Sequence, residues 1–319
     1  MKLATFVPVA GGAPRIGVLA ATGGALVDLA AAHAGRGGGH SPELASMQAL
    51  IESGQAGLDL VKDLAAATTH LVPLDDVRLL APLPVPVQVR DCMCFEGHLL
   101  GSIDASMRMS GANEPSARHQ AMRDAFYQRP IYYKANRFAV TGTDTDVVWP
   151  AYSQVMDYEL EMGCVLGRRG RDIPVSEARD YIFGFTIFND FSARDTQGQE
   201  MLSSLGPSKS KDFDNANAMG PWIVTADEFD PYSARMIVRI NGEVQSEGSS
   251  STMTYSFEDL IAFISTSETL HPGEILGSGT VGGGCGLEQG RMLQDGDTVE
   301  LEIEGIGILK NRVFSARKS

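Results

Sequence analysis

Tyr181-Ile182-Phe183-Gly184-Phe185-Thr186-Ile187-Phe188-Asn189-Asp190 is nearly unbroken in apolar residues and stops at Asn-Asp. Aromatic and β-branched side chains dominate it, so it reads as a buried strand. A carboxylate at the end of such a strand costs several kcal/mol unless it is hydrogen-bonded, paired or metal-bound. Two readings of Asp190 follow: an Asx-type cap on the next turn, or a ligand in a polar site. The turn beyond it, Phe191-Ser192-Ala193-Arg194-Asp195-Thr196-Gln197, is rich in donors and acceptors. Lys211 follows, shortly before Gly220-Pro221-Trp222 restarts a strand.

Strands dominate on both sides of this stretch. Residues 158–167 alternate, and residues 235–240 and 243–246 flank Asn241-Gly242 as a two-residue hairpin turn. Residues 298–303 alternate again. Helices are fewer: residues 176–181, and residues 256–264, where Ser256 and Asp259 stand at capping-box spacing. Residues 99–128 are helix-friendly, with Gly111 and Pro115 as interruptions. The first 80 residues read differently, as short strands at 2–7, 15–20 and 25–29 between Gly-rich turns. Ser41 as N-cap, Pro42 at the first position and Glu43 in the first turn predict a helix through Ile51. A second short helix is expected at residues 58–67. The stretch Ala81-Pro82-Leu83-Pro84-Val85-Pro86 is an extended connector that no helix crosses. A boundary before it divides the chain into a small N-terminal domain, residues 1–78, and a larger one, residues 79–319. The expected class is α+β, mainly β.

The chain has 319 residues, 26 Lys+Arg against 40 Asp+Glu, and a net charge of −14. That balance argues against nucleic acid or an anionic membrane as partner. No apolar run approaches the roughly 18 residues a spanning helix needs, and the start lacks a signal-peptide pattern. The expectation is a soluble, cytoplasmic protein. Its four cysteines form no CxxC pair, which leaves reduced, buried thiols as the simple reading.

Three further features bear on chemistry. In Asp157-Tyr158-Glu159-Leu160-Glu161-Met162, a strand places Glu159 and Glu161 on one face, about 6–7 Å apart. Two such carboxylates repel unless solvated or joined by a cation, and oxygen-only ligands suit Mg²⁺, Mn²⁺ or Ca²⁺. The same spacing in Val299-Glu300-Leu301-Glu302-Ile303-Glu304 is most simply a solvated acidic face, so the motif alone decides nothing. In Arg90-Asp91-Cys92-Met93-Cys94-Phe95-Glu96-Gly97-His98, the histidine suits general acid–base work, with Glu96 or another carboxylate to orient it, although a lone histidine is more often structural. Gly277-Ser278-Gly279-Thr280-Val281-Gly282 fits a dinucleotide fingerprint, but more glycines follow instead of a helix, so a loop approaching a ligand closely is the better reading.

Taken together, these segments resemble the fumarylacetoacetate hydrolase family. The resemblance rests on Asp157–Glu161, Phe188–Gln197, Lys211-Asp212-Phe213 and residues 268–280, and it covers residues 80–315. It implies a mixed β-sandwich roll with a small N-terminal α/β domain, a homodimer, and a divalent cation (Mg²⁺ or Mn²⁺, with Ca²⁺ as a further option) held by carboxylates. By motif position it implies Glu159, Glu161 and Asp190 as metal ligands, joined by Asp91, which stands seven residues before a catalytic His98 as in the fumarylacetoacetase branch. Lys211, Gln197 and Thr280 fall at substrate contacts, and Lys134 in a region that lines the same cleft. Branches with a mobile lid carry a glutamate three residues after the histidine, but that position is Gly101. The orienting carboxylate is then Glu96 or Glu288, with Glu288 favoured because the family uses a glutamate downstream of the threonine. Met93 replaces an expected tyrosine. The implied activity is metal-dependent hydrolysis of a carbon–carbon bond in a β-diketo acid such as an acylpyruvate, fumarylpyruvate or fumarylacetoacetate. The alternatives are decarboxylation, dehydration or isomerisation of a 2-oxo acid, or a binding protein without turnover.

Overall fold

The computed structural model describes residues 1–66 and 69–316. The apolar strand Ile182–Asp190 is buried along its whole length and lies inside a large sheet. On one side it pairs with Leu160–Leu166, and on the other with Asn217–Thr225, both antiparallel. Outward from Leu160–Leu166 come Glu274–Gly277, Gln88–Cys92 and Tyr132–Ala135. Outward from Asn217–Thr225 come Lys2–Pro8, Arg15–Leu19, Ala25–Asp28 and Leu71–Pro73. The opening strands thus extend the same sheet, with Lys2 opposite Val224 and Leu3 opposite Ile223.

Both faces of this sheet are covered, which is why its central strand carries no polar face. One face packs on a five-stranded sheet in the order Glu243–Ser249, Arg235–Ile240, Thr298–Ile303, Gly307–Ser315, Asp146–Trp149. Phe185, Ile187, Leu160 and Met162 meet Val238, Leu301 and Leu309 there. The other face packs on the N-terminal helices, where Phe183, Phe188 and Val165 join Leu50, Ile51 and Val61. A register shift between Val165 and Leu166 breaks strict alternation and lets Phe183 and Phe185 enter different cores. The architecture is the expected α+β, mainly β sandwich.

Local signals held where local physics decides. Asn241 and Gly242 both take positive φ (54° and 81°), as a two-residue turn of the primed kind requires. Ser256 accepts from the Asp259 N–H at 3.1 Å and Asp259 reaches back to the Ser256 N–H at 2.9 Å, closing the capping box of helix Phe257–Ser265. Residues 99–128 form two helices, Glu96–Ser110 and Ala117–Gln128, the first ending at Gly111 in the left-handed conformation. The N-terminal helix starts later than expected. Pro42–Leu44 is a single 3-10 turn without a side-chain cap, and Met47–Glu52 begins after Ser46, whose hydroxyl accepts from the Ala49 N–H at 3.1 Å. A helix at Leu29–Gly35, capped by Asp28, carried too few periodic residues to be expected. The second helix spans Gly54–Ala66, and residue 67 lies outside the described residues.

Phe185 is fully buried against the rings of Phe229 and Phe257, with centroids 5.4 and 5.6 Å away. Phe185→Ala is expected to cost about 3–5 kcal/mol by leaving a cavity between the sheets. Denaturant midpoints would read this loss, and a cost under 1 kcal/mol would show that the cores can close around the gap.

Candidate active site

Three strands of the large sheet deliver carboxylates to one point. Asp91 stands near the end of Gln88–Cys92, Glu161 on Leu160–Leu166, and Asp190 at the end of Ile182–Asp190. All three are buried, and one oxygen of each lies within 4.8 Å of the others. Asp91 Oδ1, Glu161 Oε2 and Asp190 Oδ1 have no hydrogen-bond partner among the described residues. Three orphaned, hard oxygen donors in one pocket fit a divalent cation of the Mg²⁺, Mn²⁺ or Ca²⁺ kind. Gly277 makes the pocket possible: a Cβ there would sit 2.6 Å from Asp91 Oδ1 and 3.0 Å from Glu161 Oε2.

Two buried cations stand beside the cluster. Lys211 Nζ donates to Glu159 Oε2 at 2.5 Å and to Asp190 Oδ2. Arg194 Nη2 donates to Glu159 Oε1 at 2.7 Å, and its Nε to Asp157 Oδ2 at 2.8 Å. The Tyr133 hydroxyl donates to Asp190 Oδ2. Burial opposes ionisation of Glu159, but Arg194 and Lys211 outweigh it and hold this carboxyl well below the usual range. Burial and the charges of Asp91 and Asp190 push Glu161 far up. Burial also raises Asp91, and it raises Asp190 to about 7 despite Lys211. Lys211 would be lowered by burial, yet Asp190 and Glu159 raise it above its ordinary value.

His98 enters from the first turn of Glu96–Ser110. Its Nδ1 lies 2.7 Å from Glu288 Oε1, and its Nε2 faces Glu159 Oε1 at 3.9 Å. A carboxylate on Nδ1 assigns the proton to that nitrogen and leaves the Nε2 lone pair directed at the cleft. Glu288 is itself fixed: its Oε2 accepts from the Gly283 N–H at 2.8 Å, and its helical turn, Gly286–Gln289, donates two N–H groups to Asp157 at 2.7 and 2.9 Å. Gly101 gives Glu288 room, because a Cβ there would lie 2.3 Å from Glu288 Oε2. The position that lacked a glutamate is thus the space through which Glu288 reaches His98.

The other expected residues divide. Thr280 is buried with Oγ1 3.4 Å from Glu161 Oε1, and Gln197 lines the cleft while accepting from Arg194 Nη1 at 2.8 Å. Glu96 does not reach His98. Residues two apart on a helix face different ways, and its carboxylate accepts instead from the Tyr127 hydroxyl. Lys134 is exposed and lies off the cleft, because strand alternation turns Tyr133 toward Asp190 and its neighbour outward. Asp157, Arg194 and Tyr133 are site members for which sequence reasoning assigned no role. The first two stand inside the quoted motifs, and Tyr133 is the immediate neighbour of Lys134. The resulting cavity has about 330 Å³. A larger one of about 650 Å³, beside Gly54–Ala66 and Arg168, contains none of these groups.

Comparison with known proteins identifies a family. Residues 106–314 match the family described as fumarylacetoacetate (FAA) hydrolase, C-terminal. The mitochondrial oxaloacetate tautomerase FAHD2A of Homo sapiens is 31% identical over 307 residues, 94% of this chain and 87% of that protein. Among solved structures, a fumarylacetoacetate hydrolase from Exiguobacterium antarcticum superposes with TM-score 0.76 at 28% identity, covering 99% of both chains. A 5-carboxymethyl-2-hydroxymuconate delta-isomerase from Mycobacterium smegmatis gives 0.70 at 25% identity, covering 99% of this chain and 100% of its own. The chain belongs to the fumarylacetoacetate hydrolase family. It is an enzyme of that family with a site fitted to a divalent metal, and among the described residues no helix is long and apolar enough to cross a membrane.

Two outcomes are expected. Gly101→Ala should displace the Glu288 carboxylate and lower kcat by about 10²-fold or more, while thermal unfolding stays near that of the unaltered protein. Wild-type kcat would show that Glu288 does not orient His98. Separately, Asp190 binds its proton more tightly when folded, at about 7 against an ordinary 3.8. Its contribution to stability is therefore present at low pH and lost as pH rises through that window. The metal-free protein should melt lower at pH 8 than at pH 5, and Mn²⁺ should stabilise it more at pH 8, releasing protons on binding. A Mn²⁺ affinity independent of pH across this range would contradict the assignment.

Proposed function

We propose that the protein hydrolyses a carbon–carbon bond in a β-diketo acid of the acylpyruvate type. The carrying observation is the His98–Glu288 pair, whose free Nε2 looks into a cleft walled by the three-carboxylate cluster and Lys211. Asp91, Glu161 and Asp190 would hold Mg²⁺ or Mn²⁺, with Glu159 alongside, and the bound ion would supply Lewis-acid polarisation of the substrate's carboxylate and adjacent oxo oxygen.

The chain's own residues do the rest. His98 Nε2 takes a proton from water, and the water oxygen attacks the carbonyl carbon distal to the carboxylate. Glu288 stabilises the imidazolium formed. The bond from that carbonyl carbon to the methylene carbon then breaks, and its electron pair leaves as the enolate of the 2-oxo acid. The Lys211 ammonium offsets the enolate charge, and the proton held on His98 returns to the carbanionic carbon. The products are a carboxylic acid and a 2-oxo acid. Tyr133 and Gln197 stand where they can orient the substrate.

A second reading has its own support. The relatives named oxaloacetate tautomerase and delta-isomerase suggest that the same base can remove a C–H proton and return it elsewhere, with no water consumed.

A panel of 2,4-dioxo acids and oxaloacetate, followed by ultraviolet absorbance with Mn²⁺, separates the two. Hydrolysis releases pyruvate together with a second acid, whereas tautomerisation changes the enol absorbance without either product. His98→Ala should lower turnover about 10²–10⁴-fold and leave Mn²⁺ affinity unchanged. Activity near that of the wild type would remove His98 from the mechanism.

A further inference from the structure

The reactive cleft does not end at the carboxylate cluster. It continues into an outer chamber of about 510 Å³ between the helices Glu96–Ser110 and Ala117–Gln128 on one side and Arg194–Ser203 on the other. Met122, Met201 and Leu287 belong to both spaces, so the chamber is an extension of the site and not a separate hollow. Farther out the wall is built from Ile103, Met109 and Leu202. Met109 is 78% exposed and Leu202 75% exposed. Large apolar side chains left in water at the mouth of a cleft mark a surface meant to be covered.

The chamber's basic groups are already engaged. Arg194 is committed to Asp157 and Glu159. Arg118 Nη2 donates to the Met201 carbonyl at 2.7 Å. The two ring nitrogens of His119 meet the Ser116 N–H at 3.2 Å and the Ser106 hydroxyl at 3.3 Å. Among the described residues no lysine lines the chamber. A substrate carboxylate has a place at the inner end, beside Lys211 and the cation pocket, whereas the outer chamber offers among the described residues only Arg118 at its exposed rim, tied by one N–H to the Met201 carbonyl. Methionine, unbranched and polarizable, packs against irregular apolar groups.

We infer that the substrate is a monocarboxylic 2-oxo acid whose distal group is an apolar chain or ring seated among Met109, Met122, Met201 and Leu202. This rests on the proposed function for the inner site and adds the substrate class. It sets the chain apart from its relative named for oxaloacetate, a dicarboxylate.

The test is calorimetric binding to the Mn²⁺-loaded full chain, using straight-chain 2-oxo acids from 2-oxobutanoate to 2-oxooctanoate, with 2-oxoglutarate and 2-oxoadipate as dicarboxylate controls. Affinity should tighten by up to about four-fold per methylene while the chain fills the chamber, and the dicarboxylates should gain nothing. Leu202→Glu and Met109→Glu, both at exposed positions, should flatten the series while thermal unfolding is unchanged. A series flat in the wild type, or tighter binding of the dicarboxylates, overturns the inference. Arg118→Gln should leave the series intact, and loss of the chain-length gain in this variant also counts against it. Because binding is read without turnover, a failure of hydrolysis on the acylpyruvate panel would sink the proposed reaction and leave this result standing. Absence of binding by any 2-oxo acid would sink both.

Discussion

The mutual repulsion of buried carboxylates is the constraint on which the rest of the molecule depends. Asp91, Glu161 and Asp190 share a pocket that water cannot screen, and Glu159 and Asp157 stand just beyond it. Lys211 and Arg194 oppose them from within the protein. Such a concentration of like charge is tolerable only if some groups stay protonated or a further cation joins them. The raised carboxyls of Asp91, Glu161 and Asp190 are the first answer, and a divalent ion would be the second. The stiffness of the surrounding sheet matters for this reason. Strands buried on both faces hold the three oxygens together against their repulsion, and Gly277 keeps the space between them open.

The same architecture ties His98 to the cluster. Asp157 accepts from Arg194 on one side and from the Gly286 and Leu287 N–H groups on the other. The turn that presents Glu288 is thereby anchored to the chain segment 157–161 that carries Glu159 and Glu161. Arg194 continues the connection to Glu159 and Gln197. His98 thus meets a carboxylate whose own support begins beside the three-carboxylate pocket. The net charge of −14 does not fix the potential inside the cleft, because that is set by the nearest groups, Lys211 and Arg194 among them.

What was legible depended on how local the deciding physics is. The turn at Asn241-Gly242 and the cap at Ser256 each rest on two or three neighbouring residues, and both stand as read. Ser41 failed for an equally local reason: Ser46, five residues on, offers its hydroxyl to a helix N–H and takes the cap. For the site, residues named from motifs far apart in the chain stand together in space, since Asp91, Glu159, Glu161, Asp190, His98 and Lys211 all converge. Roles that depend on direction were harder. Glu96 was near His98 along the chain but faces Tyr127, while Glu288, 190 residues away, is the one in contact.

Glu159 and Glu161 show the division most plainly against Glu300 and Glu302. Both pairs have the same spacing on a strand, and each was readable as a carboxylate pair on one face. The second pair lies half-buried on the five-stranded sheet, with Glu302 bonded to Arg239 at 2.6 Å. The first is buried between strands that bring Asp91, Asp190, Lys211 and Arg194 to it. Sequence by itself determined the strand, the phase of its side chains and the class of protein, because periodicity and motif order are properties of the chain. Tertiary structure alone decided which acidic face meets other acids and which meets a base, because that rests on neighbours delivered through space, and a carboxylate's chemistry is set by what surrounds it.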